Sequence, residues 1–184
     1  MALKKGYAMQ DCSLARTLEL VGERWTMLVI RDAFYGVRRY SDFLAHLDLP
    51  RAVLSTRLRA LTESGLLDKR RYEVSPPRDE YVLTDKGRQL WPALFALLAW
   101  GQEHASGDLP VRRFYVHVGC GARLGTGGGC EACGLASVPP EDVEIHPGPG
   151  ADDPGRQDPV TRALLTPHRL LTPLETGSGA AAAR

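Results

Sequence analysis

From residue 49 to residue 67, LPRAVLSTRLRALTESGLL, apolar positions recur at helical spacing. Leu54, Leu58 and Leu61 fall at i, i+4 and i+7 and make one stripe. Pro50 opens the segment and Gly65 closes it, the order favoured at the two ends of a helix. At about 100° per residue, Ala52, Ser55, Thr56 and Arg59 gather on the opposite side. Arg51 sits in the first turn at the border of the two faces, and Arg57 lies beside the apolar stripe. Small hydroxyl residues with arginine suit a helix laid in a DNA major groove: Arg can donate two bonds to guanine, and Ser or Thr can reach bases or phosphates. The same pattern also fits the solvated face of an ordinary packed helix, so the flanking elements decide.

Upstream, Leu14, Leu18 and Val21 make a stripe that predicts a helix from about Ser13 to Val21, stopped by Gly22. Glu23 to Tyr35 reads as a second helix, with Trp25, Leu28 and Val29 on one face and Gly36 at its end. Arg38 and Arg39 precede a short third helix, Tyr40 to His46, whose inward residues are Phe43, Leu44 and Leu47. The turn Asp48-Leu49-Pro50 then leads into the segment above. Two short helices joined by a tight turn, the second with a polar face, match a helix-turn-helix.

After Gly65 the period changes. Leu66 to Val74 is strand-like around a charged centre, Ser75-Pro76-Pro77-Arg78-Asp79 is a turn by composition, and Tyr81 to Leu83 returns. Such a hairpin behind a recognition-like helix reads as a wing whose Arg70, Arg71 and Arg78 reach phosphates or the minor groove; a solvated hairpin capping the core is the plainer reading. Thr84 is a candidate N-cap for a last helix, Asp85 to about His104. That helix is apolar nearly all round (Leu90, Trp91, Leu94, Phe95, Leu97, Leu98, Trp100), with a kink expected at Pro92. Its excess apolar face is expected to bury against a second copy of the chain.

The chain has 184 residues and a net charge of +1, enough for one full domain and an appendage. Residues 1–105 carry 16 Lys and Arg against 13 Asp and Glu, and residues 38–78 carry 9 against 5, so a modest basic excess is local to the helix-turn-helix and wing. The N-terminus lacks the apolar run of a signal peptide, and the stretch Leu90–Trp100 is too short to span a bilayer. The expected setting is cytoplasmic, without a membrane partner. In that reducing setting clustered cysteines point to metal or redox chemistry rather than disulfides.

Gly and Pro rise from Ser106, and three of the four cysteines lie between residues 120 and 133. His117-Val-Gly-Cys120-Gly and Cys130-Glu-Ala-Cys133-Gly each set two donors three residues apart and end in Cys-Gly. That spacing lets one turn present both side chains to one ion, so His117, Cys120, Cys130 and Cys133 are candidate ligands of a structural zinc with no open position for catalysis. Three alternatives stand beside this: a strand with His117 on its exposed side, His146 as the fourth ligand, and an unmetallated Gly-rich loop. From about residue 147 the composition is that of a disordered tail, in which Leu164, Leu165, Leu170, Leu171 and Leu174 offer at most a brief helix. An alternative to DNA binding is a thiol- or metal-dependent enzyme built on the Cys/His cluster, or a protein-interaction module. Against the enzyme, the chain has no Walker loop, no G-x-S-x-G and no H-E-x-x-H.

The run CSLARTLELVGERWTMLVIRDAFYGVRRYSDF, the R-L-x-x-L-x-x-x-G-L-L ending of the polar-faced helix, the Pro76-Pro77 tip, YVLTDKG and LLAW together resemble the HxlR-type winged helix-turn-helix regulators over about residues 8–105. The resemblance implies a bacterial or archaeal transcriptional regulator that binds double-stranded DNA as a homodimer on a pseudo-palindromic operator. It implies DNA contacts from Arg39, from Arg51, Ala52, Ser55, Thr56 and Arg59, and from the wing. It implies a dimer interface of the first and last helices, with Leu14, Leu18, Leu94, Leu97 and Leu98. Cys12 resembles the oxidant-sensing cysteine of some relatives; the competing reading is a small residue packed at the dimer interface. The expected fold is mainly α with a small β wing: an N-terminal arm (1–11), a winged helix-turn-helix (12–105), a zinc-ribbon-like segment (106–146) and a disordered tail (147–184). No small-molecule pocket motif is recognisable, so the effector stays open.

Overall fold

The computed structural model describes Tyr7 and residues 10–177. Most of the expected arm and residues 178–184 of the expected tail lie outside the described residues. Helix α1 (Ser13–Val21) is capped by Cys12, whose thiol accepts the Ala15 N–H at 3.3 Å. Helix α2 (Thr26–Phe34) begins three residues later than its apolar pattern suggests. Trp25 holds φ 78°, a left-handed conformation that no continuing helix allows. Leu28, expected to share a face with Val29, is exposed, while Val29, Ile30 and Phe34 have no accessible surface.

Helix α3 (Tyr40–Leu47) and helix α4 (Arg51–Glu63) form the helix-turn-helix. The turn rests on Asp48 at φ 48°, a conformation that Asp tolerates better than most side chains. Leu54, Leu58 and Leu61 are at most 1% exposed, and they pin α4 onto α2 and α3 as the stripe requires. Strands β1 (Leu67–Glu73) and β2 (Arg78–Leu83) pair antiparallel from Leu67↔Leu83 to Glu73↔Arg78, with a bulge after Arg71. The segment before α3 joins this wing through an Arg39↔Glu80 bridge and the Tyr81 N–H to Arg38 carbonyl bond.

The expected single helix from Asp85 to His104 is two. Thr84 does cap the first, α5 (Asp85–Arg88), by accepting the Gly87 N–H. The chain then restarts as α6 (Trp91–His104), with Pro92 in its first turn. A first-turn proline loses no helical hydrogen bond, so Pro92 begins a helix instead of kinking one.

The second half folds onto the first. Strand β3 (Arg113–His117) pairs with β4 (Val143–Pro147), and β5 (His168–Arg169) adds to β4. The expected disordered tail is corrected for residues 147–177: helix α7 (Pro159–Ala163) packs against α3, and Val160, Leu164 and Leu170 are at most 1% exposed. Its irregular backbone is satisfied by pairing, with Gly148 and Gly150 N–H on the Arg112 and Val111 carbonyls, and Leu171 and Leu174 N–H on those of Phe34 and Gly36. Gly36, at φ +84°, lies so close to Thr172 that a β-carbon there would collide with its carbonyl. One continuous core joins Phe34, Phe43 and Leu54 to Val138, Ile145 and Leu164. Trp91 lies at its centre, with ring centroids 5.3 Å from Phe34, 5.5 Å from Phe95 and 5.9 Å from Tyr115, and its indole N–H donates to the Val138 carbonyl.

Candidate nucleic-acid interface and metal centre

Helix α4 turns Arg51, Ala52, Ser55, Thr56 and Arg59 to solvent on one face. These groups are not equally available. The Tyr40 hydroxyl donates to the Arg51 carbonyl at 3.0 Å and shares a hydrogen bond with Ser55 at 3.2 Å, tying the start of α3 to the first turns of α4. The Thr56 hydroxyl donates to the Ala52 carbonyl at 2.8 Å. Neither Arg51 nor Arg59 forms an ion pair among the described residues, so both guanidinium groups remain open to an incoming acceptor. Arg57 is turned toward the core side and pairs with Glu23 at 3.6 Å.

The wing differs from its basic appearance in sequence. Residues 67–83 hold four cations and four anions. Arg70 pairs with Asp68 at 2.9 Å, Arg78 with Glu73 at 3.2 Å, and Asp79 serves both Arg71 at 2.9 Å and Lys69 at 3.0 Å. Hydrogen bonds from Arg71 and then Lys69 hold the Asp79 carboxyl below its usual range. Arg39 stacks its guanidinium over the Tyr72 ring at 5.1 Å, between the start of α3 and the wing. Tyr40 and Tyr72 escaped sequence reasoning, because a tyrosine beside an arginine has no distinguishing spacing.

Of the apolar residues expected between two copies, Leu14 and Leu97 are 65% and 58% exposed, and Trp100 joins them at 60%. Leu18 and Leu98 are half-buried. Leu94 is corrected: at 4% exposure it belongs to the protomer's own core. Cys12 is exposed, and Arg16, one turn on, pairs with Glu19 at 3.5 Å rather than with the thiol.

His117, Cys120, Cys130 and Cys133 converge, with all four donor atoms within 4.8 Å of one another. Cys120 Sγ lies 3.4 Å from Cys130 Sγ and 3.4 Å from His117 Nδ1, and Cys133 Sγ lies 3.5 Å from that same nitrogen. A tetrahedral zinc with bonds of about 2.0–2.3 Å needs donor separations of about 3.5–3.8 Å, so the set fits. A disulfide needs about 2.05 Å, and all four cysteines are free. Both knuckles turn as their Cys-Gly endings require: Gly121 and Gly134 adopt φ +73° and +66°. The Gly121 N–H bonds the His117 carbonyl, and the Gly134 N–H bonds that of Glu131. A β-carbon at Gly119 would press on the His117 ring at 3.1 Å, so the close backbone holds the imidazole in place. His146 lies outside this convergent set; its ring pairs with Glu144, two residues earlier on β4. The Cys120 thiol is lowered to about 7, by the Ala122 backbone N–H first and Cys130 second, while Cys133 is raised to about 11, chiefly by its bond to Cys120. The bare cluster thus accepts one negative charge readily and resists a second, which a divalent cation would offset.

A family model for HxlR-like helix-turn-helix proteins matches residues 20–108. The chain is 42% identical over 138 residues to each of two uncharacterized HTH-type transcriptional regulators, Mb3122 of Mycobacterium bovis and Rv3095 of Mycobacterium tuberculosis; the match covers 75% of this chain and 87% of theirs. Among solved structures it is similar to PA1607, a candidate transcription factor, at 37% identity and TM-score 0.49, over 62% of this chain and 89% of that one.

Proposed function

Because the chain belongs to the HxlR-like helix-turn-helix family of DNA-binding transcriptional regulators, we propose that it acts in the cytoplasm as a homodimer that sets α4 of each protomer in successive major grooves of a pseudo-palindromic operator. The observation that carries this reading is the exposed face of α4, where Arg51 and Arg59 form no ion pair among the described residues. In this arrangement Arg59 reads a base, Arg51 and the hydroxyls of Ser55 and Thr56 fix register, and Ala52 makes the close apolar contact. Arg39, Arg70, Arg71 and Arg78 contact the backbone, the wing arginines by exchanging their carboxylate partners for phosphates. The two copies pair through α1 and α6, with Leu14, Leu97 and Trp100 at the centre and Leu18 and Leu98 at the edge; Cys12 lies at the border of this contact. The test is fluorescence anisotropy on the protein's own upstream DNA. Arg59→Ala is expected to weaken operator binding by about 5- to 150-fold, the range of one bidentate base contact, while leaving binding to unrelated DNA near the wild-type value. Unchanged operator affinity would refute the assignment of α4 to the groove.

We further propose that His117, Cys120, Cys130 and Cys133 hold one structural zinc. The fit of the four donors and the paired Cys-Gly knuckles support this. The ion would supply positive charge for the thiolates and cross-link two loops that carry little apolar surface of their own. Elemental analysis of protein purified without a metal-affinity tag should find about one zinc per chain, and much less in Cys130→Ser. Metal-free wild type that melts at the same temperature with and without added zinc would overturn the proposal and leave DNA binding untouched.

A further inference from the structure

A cavity of about 700 Å³ lies between α6, β3 and the returning C-terminal segment, away from α4 and the wing. That volume is within the range of small-ligand sites. Its apolar lining comes from Phe95, Leu98, Leu109, Leu124 and Leu164, and Tyr115 is set edge-on to Phe95 at 5.2 Å. The lining is also strongly cationic: Arg31, Arg112, Arg113, Arg123 and Arg156 all border the space, against one acid, Glu103.

Three of these arginines are already matched. Arg31 pairs with buried Asp32 at 2.7 Å, Arg112 with Asp153 at 3.3 Å, and Arg156 with Asp158 at 3.7 Å. Two are not. Arg123 lies over the Phe114 ring at 3.5 Å. Half-buried Arg113 donates only to the Arg112 carbonyl at 3.0 Å and meets no carboxylate among the described residues. Burial, together with the like charge of Arg112, pulls its guanidinium below the ordinary value despite the Tyr35 hydroxyl nearby. An uncompensated half-buried cation facing an empty apolar space is relieved by an anion, and a guanidinium receives a carboxylate through two parallel bonds. The hydroxyls of Tyr35 and Tyr115, 2.8 Å apart, add a neutral polar handle to the lining.

We propose that this cavity binds a small organic acid with an apolar, ring-sized body, its carboxylate seated on Arg113 and its body between α6 and Tyr115. Such a ligand would touch the helix assigned above to dimer contact, which makes the cavity a candidate effector site. The binding test is independent of DNA, so its failure and that of the DNA-binding reading are distinguishable.

The experiment is isothermal titration of the full chain with naphthalene-2-carboxylate and with its neutral counterpart, 2-naphthalenemethanol. The acid is expected to bind saturably at one per chain and at least about tenfold tighter than the alcohol, as an ionic contact of this kind requires. Arg113→Gln should abolish that preference, and Arg113→Lys should restore part of it. Gly101→Phe provides a second arm. Gly101 lines the cavity in α6, and a β-carbon there meets nothing within 4 Å, so a ring can fill the space while the helix gains a better former than glycine. Both probes should then lose binding in a protein that melts like wild type. The proposal is overturned if neither probe saturates, if acid and alcohol bind wild type equally, if Arg113→Gln keeps the preference for the acid, or if Gly101→Phe binds the acid as wild type does.

Discussion

Asp79→Asn offers a gain-of-binding test of the charge-balanced wing. In the free protein one carboxylate holds two cations, Arg71 at 2.9 Å and Lys69 at 3.0 Å, and the hairpin as a whole is neutral. Amidation leaves the shape of the side chain intact and raises the charge of each wing by one. If the wing lies along the phosphate backbone, each protomer then displaces about one more counterion, and the slope of log K against log salt steepens by about 0.9 per protomer. At an ionic strength of about 0.15 M that slope corresponds to about fivefold tighter binding per wing, and at about 0.05 M to about fifteenfold. The gain should be the same on operator and on unrelated DNA, because phosphate contacts carry no sequence information. The assay is anisotropy across a salt series. Asp108→Asn serves as the control, since it changes net charge by the same amount at an exposed position beyond α6. Equal slopes for wild type and Asp79→Asn, or an equal gain in both variants, would refute contact between wing and phosphate.

Asp32→Asn removes the carboxylate that Arg31 and His46 both hold at 2.7 Å with no exposure to solvent, and it should cost about 3–5 kcal/mol. With a urea m-value of about 2 kcal/mol/M, the midpoint should fall by about 1.5–2.5 M, and a shift below about 0.3 M would show the pair to be dispensable. Burial alone would raise the Asp32 pKa, but Arg31 and the His46 hydrogen bond outweigh it and hold the carboxyl below its ordinary 3.8. The contribution is therefore complete above that value and lost as pH falls through the folded one, so the gap between wild type and variant should close only below about pH 4. Leu97→Glu should give folded monomers by sedimentation velocity, whereas Leu94→Glu, which places charge in the protomer's own core, should give unfolded protein. Wild type that sediments as a monomer at micromolar concentration would rule out the pairing.

The elements with strong local signals were legible in the sequence. The Leu54, Leu58 and Leu61 stripe, the Thr84 cap and the two Cys-Gly knuckles all depend on residues within one or two turns of each other, and the structure places them accordingly. The errors share a cause as well. Pro92 signals a kink by residue type, yet its effect depends on whether a helix is already under way. The basic excess of residues 38–78 stops just short of Asp79 and Glu80, which cross-strand register brings opposite Arg71 and Arg70. The tail from residue 147 looks disordered by its glycine and proline, while its order comes from three buried apolar side chains and from amides that donate to the carbonyls of Phe34, Gly36, Val111 and Arg112. The arginines that line the cavity run in sequence from Arg31 to Arg156, so only the tertiary fold brings them together.

The returning C-terminal segment also orders events during synthesis. Arg38 bonds the Leu171 carbonyl across 133 positions, and the Leu171 and Leu174 amides close on the carbonyls of Phe34 and Gly36. A growing chain therefore releases its helix-turn-helix from the ribosome long before the stretch that seals it has been made. Until then the faces later covered by Val160, Leu164 and Leu170 are wet, and they are available to chaperones, to proteases or to another nascent chain. A stop codon just before Pro159 would thus reach the DNA-binding half without altering any residue in it.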